Sequence, residues 1–174
     1  MGKLSAVLAA LLVTGLAAPV VAAETTIGVE MTKAKIESDG LDNGYKLFLN
    51  HMVSENFGFE LAHGKYGKYS SNGYDGWDTY WFDAEFSATN FALIGAAPLN
   101  DSISVFGKLG LSMWKVDVFV DGEGTDTEEG DDLLMGFGLN INAGSHASIK
   151  IEYESVQVED ADASSINFGL GVRF

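Results

Sequence analysis

The side chains best placed to do chemistry are charged residues at alternate positions of apolar runs: Glu30, Lys46, Glu60, Glu85, Lys108, Lys150, Glu152 and Glu154, with Arg173 near the end. In "SIKIEYES", Lys150, Glu152 and Glu154 alternate with Ile149, Ile151 and Tyr153. Successive side chains of an extended chain point to opposite faces, so this spacing gathers ammonium and carboxylate groups on one face and apolar groups on the other. Charges of both signs on an enclosed face must pair or stay hydrated, since an isolated charge in a low dielectric costs several kcal/mol. The chemistry to expect is electrostatic. One reading is a structural plug of salt bridges; the other, which draws on the family resemblance given below, is a gate formed by Glu60 with Lys108, or with Lys150 or Arg173, whose rearrangement admits small ions.

Other chemistries find less support. A serine–histidine mechanism needs a hydroxyl, an imidazole and a carboxylate within hydrogen-bond reach. His51 and His146 fall beside short turns, and only His63 is followed by candidates, Ser70, Ser71 and Asp75, at a spacing that supports no triad. No catalytic residue is expected. The absence of cysteine removes disulfides, thiolate nucleophiles and thiolate metal sites. The acidic stretch "DGEGTDTEEGDD" invites a calcium reading, but Asp126 stands sixth, where an EF-hand needs glycine, and no glutamate stands twelfth. A solvated, self-repelling loop is expected there, and no metal or cofactor. With 25 acidic against 10 basic residues the formal charge is -15, which argues against a nucleic-acid partner.

The elements that must position these residues follow from the patterning. Residues 1–23, with one early Lys3, an apolar stretch, Pro19 and small residues at Val21 and Ala23, read as a cleaved secretory signal peptide. The mature chain would begin at Glu24 and span 24–174 as one domain, its formal charge 9 minus 25, or -16. Period-two stretches then recur to the end, at 26–36, 44–53, 57–66, 79–97, 103–120, 132–142, 147–158 and 164–174, which predicts eight strands. Short connections ("SEN", "PLND", "AGSH") alternate with longer polar ones. An up-and-down meander places all short turns at one end and all long loops at the other.

The polar face decides whether such a barrel is soluble or membrane-embedded. Gly110, Ser112, Gly136, Gly138, Asn140 and Asn142 make that face small and sparsely charged, which suits the narrow lumen of eight strands better than a solvated exterior. The expectation is therefore an all-β, eight-stranded antiparallel transmembrane β-barrel with its apolar face toward lipid. Tyr45, Tyr66, Tyr80, Trp81, Trp114 and Tyr153, near strand ends, are expected as girdle aromatics. Exposed aromatics in "GKYGKYSSNGYDGWD" would suit surface adhesion. In strand four, Phe82, Ala84, Phe86 and Ala88 are expected to face lipid, with a bulge near Thr89 restoring parity for Phe91 and Leu93.

The stretches "FGFELAHGKYG", "VFGKLGLSMWKVD", "LLMGFGLNI" and "INFGLGVRF" resemble strands of the OmpA-like transmembrane domain and its small eight-stranded relatives, and the likeness covers the whole mature chain. It implies an outer-membrane protein of a Gram-negative bacterium, with short turns in the periplasm and acidic loops outside. It implies partners in outer membrane lipid and lipopolysaccharide, to which the acidic stretch offers weak divalent-ion bridging as its remaining reading, and in the barrel-assembly machinery and periplasmic chaperones during biogenesis. The last strand, with Phe168, Leu170, Val172 and the terminal Phe174, resembles the signal that the assembly machinery reads. Because the sequence stops at Phe174, a barrel-only member is expected. The function expected is non-enzymatic: membrane integrity, or adhesion to a host or environmental surface ligand. The rivals are a narrow gated channel and a lipid-modifying enzyme using His63.

Overall fold

The computed structural model describes residues 24–36, 39–74, 79–120, 124–158 and 161–174. The first 23 residues, and Asp75 and Trp77 of the long loop, lie outside these. Eight strands follow in order: β1 (Glu24–Ile36), β2 (Asp39–Met52), β3 (Phe57–Tyr74), β4 (Thr79–Pro98), β5 (Ile103–Val120), β6 (Gly124–Ala143), β7 (Ala147–Val158) and β8 (Ala161–Arg173). Each pairs antiparallel with its sequence neighbour, and β8 closes on β1 to form one barrel. At the seam the Phe174 amide donates to the Thr25 carbonyl at 2.9 Å.

Side-chain chemistry sets the short turns. The Ser54 hydroxyl accepts from the amide of Phe57, and the Asn100 carboxamide oxygen accepts from the amides of Ser102 and Ile103, local bonds that reverse the chain without a long loop. At the other end the strands overrun their predicted limits. β2, β3 and β6 extend through much of what reads in sequence as loop, and the acidic stretch from Gly124 to Asp131 is laddered against Met113–Val120 of β5.

The register fixes the tilt. One path of cross-strand partners runs Glu24, Met52, Gly58, Ile94, Lys108, Gly136, Glu154, Ser165 and returns to β1 at Ala34, ten residues above its start. Ten residues of stagger over eight strands correspond to a tilt of about 40°. Polarity is inverted relative to a soluble barrel. Outward-facing Met31, Leu170 and Phe137 are 66%, 65% and 63% exposed, whereas inward-facing Glu30, Lys46 and Glu60 are at 0%. The apolar outer band is about 25 Å tall, the height of a bilayer's hydrocarbon region.

Strand four departs from expectation. Phe86, Ala88, Asn90, Ala92 and Ile94 face the lumen in unbroken alternation, and Phe91 and Leu93 face out. No bulge lies near Thr89. The irregularity is on the neighbouring strand, between Lys65 and Gly67, where Gly67 holds φ at +131°. A side chain there would be strained, so the sequence spends a glycine at the one place β3 must slip register. Because β4 keeps its parity, Glu85 is on the outer surface and not in the lumen.

Candidate functional site

The lumen is filled in three layers. In the middle, Lys46 on β2, Lys108 on β5 and Lys150 on β7 meet Glu30 on β1, Glu60 on β3 and Glu152 and Glu154 on β7. Lys46 Nζ lies 2.7 Å from both Glu30 and Glu154 and 3.8 Å from Glu152. Lys108 contacts Glu60, Glu152 and Glu154. Lys150 contacts Glu60, Glu152 and, at 3.1 Å, Glu30. Each ammonium thus has three carboxylate partners, and the cluster joins five strands across the bore. With four carboxylates to three ammoniums its formal charge is -1. The carboxylates of Glu60, Glu152 and Glu154 converge within 4.8 Å, a spacing a metal ion could bridge, but the Lys108 ammonium already contacts all three.

Neutral groups complete the cluster. Asn167 donates to Glu154 at 2.9 Å, Tyr66 donates to the same carboxylate at 3.3 Å, and Asn90 donates to the Tyr66 hydroxyl at 2.7 Å. Thr32 bonds Asn167. Lumenal glycines make room for the long side chains: a Cβ at Gly169 would stand 2.7 Å from Glu30 Cγ, and one at Gly136 would stand 2.8 Å from Lys108 Cε. The small, glycine-rich face is the counterpart of the charged one.

On the long-strand side the cluster is capped by an apolar layer of Leu41, Tyr66, Phe86, Trp114, Leu134 and Val156. Tyr66 and Phe86 pack edge to face at 5.5 Å, and Trp114 donates its indole N–H to Asp132 at 2.7 Å. The void within this layer is about 20 Å³, room for about one water. On the short-turn side a vestibule of about 590 Å³ opens between Asn50, Phe106, Asn140 and Asn142 and ends at Lys150, whose ammonium lies over the Phe48 ring at 4.7 Å.

Two of the nine charged positions singled out in the sequence lie elsewhere. Glu85 faces outward, tied to Lys65 and, at 3.1 Å, to Lys68; those two ammoniums hold its carboxyl below the usual range. Arg173 is at the vestibule rim, 2.8 Å from Glu24, and reaches none of the cluster. Tyr66 and Trp114 are cap residues instead of girdle residues, because both share parity with the lumenal face. Tyr45, Trp81 and Tyr153 do face outward. His63 is on the outer face, hydrogen-bonded to Thr89 at 2.8 Å. Ser70 lies seven residues farther along β3, about 23 Å away, so the serine and imidazole do not meet. Among the described residues the acidic stretch is strand, which divides Asp126 and Glu128 from Glu129 and Asp131 on opposite faces, and no cation cage forms there.

Sequence reasoning missed Thr32, Asn90 and Asn167. Thr32 and Asn167 share parity with Glu30 and Gly169, a signal that was available; Asn90 was hidden by the misassigned face of β4.

A closed eight-stranded barrel with a lipid-facing apolar band and a charge-filled bore defines a small outer-membrane barrel protein. The sequence matches the family model for the outer membrane protein beta-barrel domain over residues 8–174, and the chain belongs to that family. Its fold is similar to that of Ail, the attachment invasion locus protein of Yersinia pestis, at 18% identity and a TM-score of 0.67, covering 88% of this chain and all of that one. Neisserial surface protein A is 12% identical with a TM-score of 0.64, covering 87% and 97%. The N-terminal barrel of Pseudomonas aeruginosa OprF is also 12% identical, with a TM-score of 0.62, covering 88% and 100%. Among curated proteins no sequence match is found.

Proposed function

We propose that this chain is a sealed, non-enzymatic barrel that supports outer-membrane integrity and presents an acidic ribbon for contact with other surfaces. The observation that carries the reading is the contrast between a filled bore and an exposed upper ribbon. In β6, residues 124–129 are all exposed, and Asp126, Glu128, Glu129 and Asp131 stand on a ladder with Asp117 of β5. The Ail structure includes sucrose octasulfate, a heparin analogue. The acidic ribbon of this chain carries the same sign as a sulfated ligand, so ligands of the ribbon should be basic or bridged by divalent cations. In planar bilayers the purified protein should show no discrete conductance, and on beads it should capture a cationic polymer but not a sulfated one. Discrete conductance in the wild type that disappears in Lys108→Ala would instead support the gated-channel reading, to which the vestibule lends its only support.

Residues 1–23 we assign as the signal peptide, on their apolar stretch, Pro19 and the small residues at Val21 and Ala23; mass spectrometry of the membrane-inserted protein should give a chain beginning at Glu24. Phe168, Leu170, Val172 and Phe174 form the outward edge of the closing strand, with Phe174 74% exposed. We assign them as the assembly signal, read with the help of the assembly machinery and periplasmic chaperones. Deleting Phe174 should lower the inserted fraction several-fold, and normal insertion would remove the assignment.

A further inference from the structure

The charge cluster fills the bore, which makes the vestibule on the short-turn side a pocket with one mouth. Its volume of about 590 Å³ is that of a small-molecule site. The walls differ around the barrel. On β4 and β5 they are apolar, with Ile94, Ala96, Pro98 and Phe106, and the β4 strip from Ile94 to Pro98 runs about 13 Å along the strand. On β1, β2 and β6 the walls inside the mouth are polar and uncharged, with Thr26, Asn50, Asn140 and Asn142. A cavity that served only to hydrate the cluster would have no use for an apolar stave.

The polar groups define what would fit. The carboxamide oxygens of Asn50 and Asn142 are enclosed and have no hydrogen-bond partner among the described residues. Neither oxygen gives up a bond when its carboxamide turns toward the cavity, so both are acceptors that lack a donor. Lys150 at the floor is closed to anions, because its three N–H donors already face Glu30, Glu60 and Glu152. At the mouth stand Glu24, Glu55 and Asp101. Glu24 is held by Arg173 at 2.8 Å, whereas Glu55 and Asp101 are exposed and in no ion pair among the described residues. The other basic groups at this end are imidazoles: His51 is bonded to Thr25 at 2.9 Å, and His146, on the turn after β6, is bonded to Ser145 at 2.7 Å. Three carboxylates against one guanidinium leave the mouth at a formal charge of -2, next to a cluster that is itself negative. A low-dielectric cleft focuses such a field, drawing cations in and keeping anions out.

We propose that the vestibule binds a linear aliphatic polyamine of the spermidine class from the periplasmic side. Its ammonium groups would donate to Asn50 and Asn142 and pair with Glu55 and Asp101, while its methylene spacers lie along Ile94, Ala96 and Pro98. A sugar would bring hydroxyl donors but no charge to the acidic mouth, and a bare metal ion would leave the apolar strip unused. The site is separate from the acidic ribbon and rests on the sealed bore, which conductance in planar bilayers tests independently of binding. The test is equilibrium dialysis of radiolabelled spermidine against the folded barrel in neutral detergent. The wild type should bind saturably. E55Q/D101N and N50L/N142L should each weaken binding about fivefold or more, and E128Q/E129Q, which removes charge from the ribbon at the opposite end, should stay within about twofold of the wild type. Unlabelled sucrose and butylamine should compete at least about fivefold more weakly than unlabelled spermidine. No binding by the wild type, wild-type affinity in E55Q/D101N, loss of binding in E128Q/E129Q, or sucrose competing as well as spermidine each overturns the proposal. Heat-modifiable gel mobility establishes that each variant is folded. Should N50L/N142L not fold, E55Q/D101N, on exposed turns, still decides the question.

Discussion

Lysine and glutamate meet in two places in this barrel, and the two places differ in what holds them. In the lumen, three lysines and four glutamates are at or near zero exposure, and each ammonium touches three carboxylates from several strands. At a collar of outward charges on the long-strand side, Lys65, Lys68 and Glu85 form a simple fork in which the lysines are about half exposed. The same residue types therefore carry different consequences. A buried partner cannot be replaced by water, so removing one ion strands the others, whereas at the collar water takes over. What the comparison teaches is that ion pairing by itself says little about stability here, and burial says most.

The sharpest way to break the comparison is to remove one lysine from each place. Lys108→Ala should remove the one cation that Glu60, Glu152 and Glu154 all share and destabilise the barrel by about 3–5 kcal/mol, or prevent folding, whereas Lys115→Ala should cost no more than about 1 kcal/mol. Urea unfolding in detergent, followed by heat-modifiable mobility, measures both. Equal effects would mean that water reaches the cluster. A smaller effect is expected from the glycine notches. Gly169→Leu would drive a side chain against Glu30 Cγ, and overpacking of this kind should cost about 1–3 kcal/mol; the same unfolding curve reads it.

The smallest effect belongs to the collar and depends on pH. Glu85 is held below its ordinary range by Lys65 and Lys68, so its contribution is present above the unfolded carboxylate value, about 4.3, and is lost as pH falls through the lower folded value. Glu85→Gln should change stability by less than about 1 kcal/mol at neutral pH and should flatten the acid limb of the stability profile slightly. A loss as large as that of Lys108→Ala would mean that the collar is structurally coupled to the bore.

Much of the lumenal set was legible because parity carries through a strand. Lys150, Glu152 and Glu154 on β7, Glu30 on β1 and Lys108 on β5 follow from period two once one face is assigned. Glu85 was misassigned because β4 carries apolar residues on both parities, Phe86 and Ala88 on one and Phe91 and Leu93 on the other. Where both faces are apolar, alternation has nothing to report. That same ambiguity concealed the apolar cap, since a lumenal Phe86 or Trp114 reads as lipid-facing or girdle until its neighbours are known. The long connections were read as loops because their composition is polar and acidic, yet above the membrane a strand needs no apolar face to be laddered to its neighbour, and β5 and β6 continue there.

The sequence by itself determined the number of strands, their order, the ends that carry short and long connections, and the sign of each face on every strand but β4, because all of these follow from local alternation and turn chemistry. Only the tertiary structure decided which charges meet. Lys46 and Glu154 are 108 residues apart and are joined by a ten-residue stagger that is a property of closure, and no single strand records it. Closure also set the levels at which charge collects, placing one group of lysines in the bore and another in a collar at the lipid boundary.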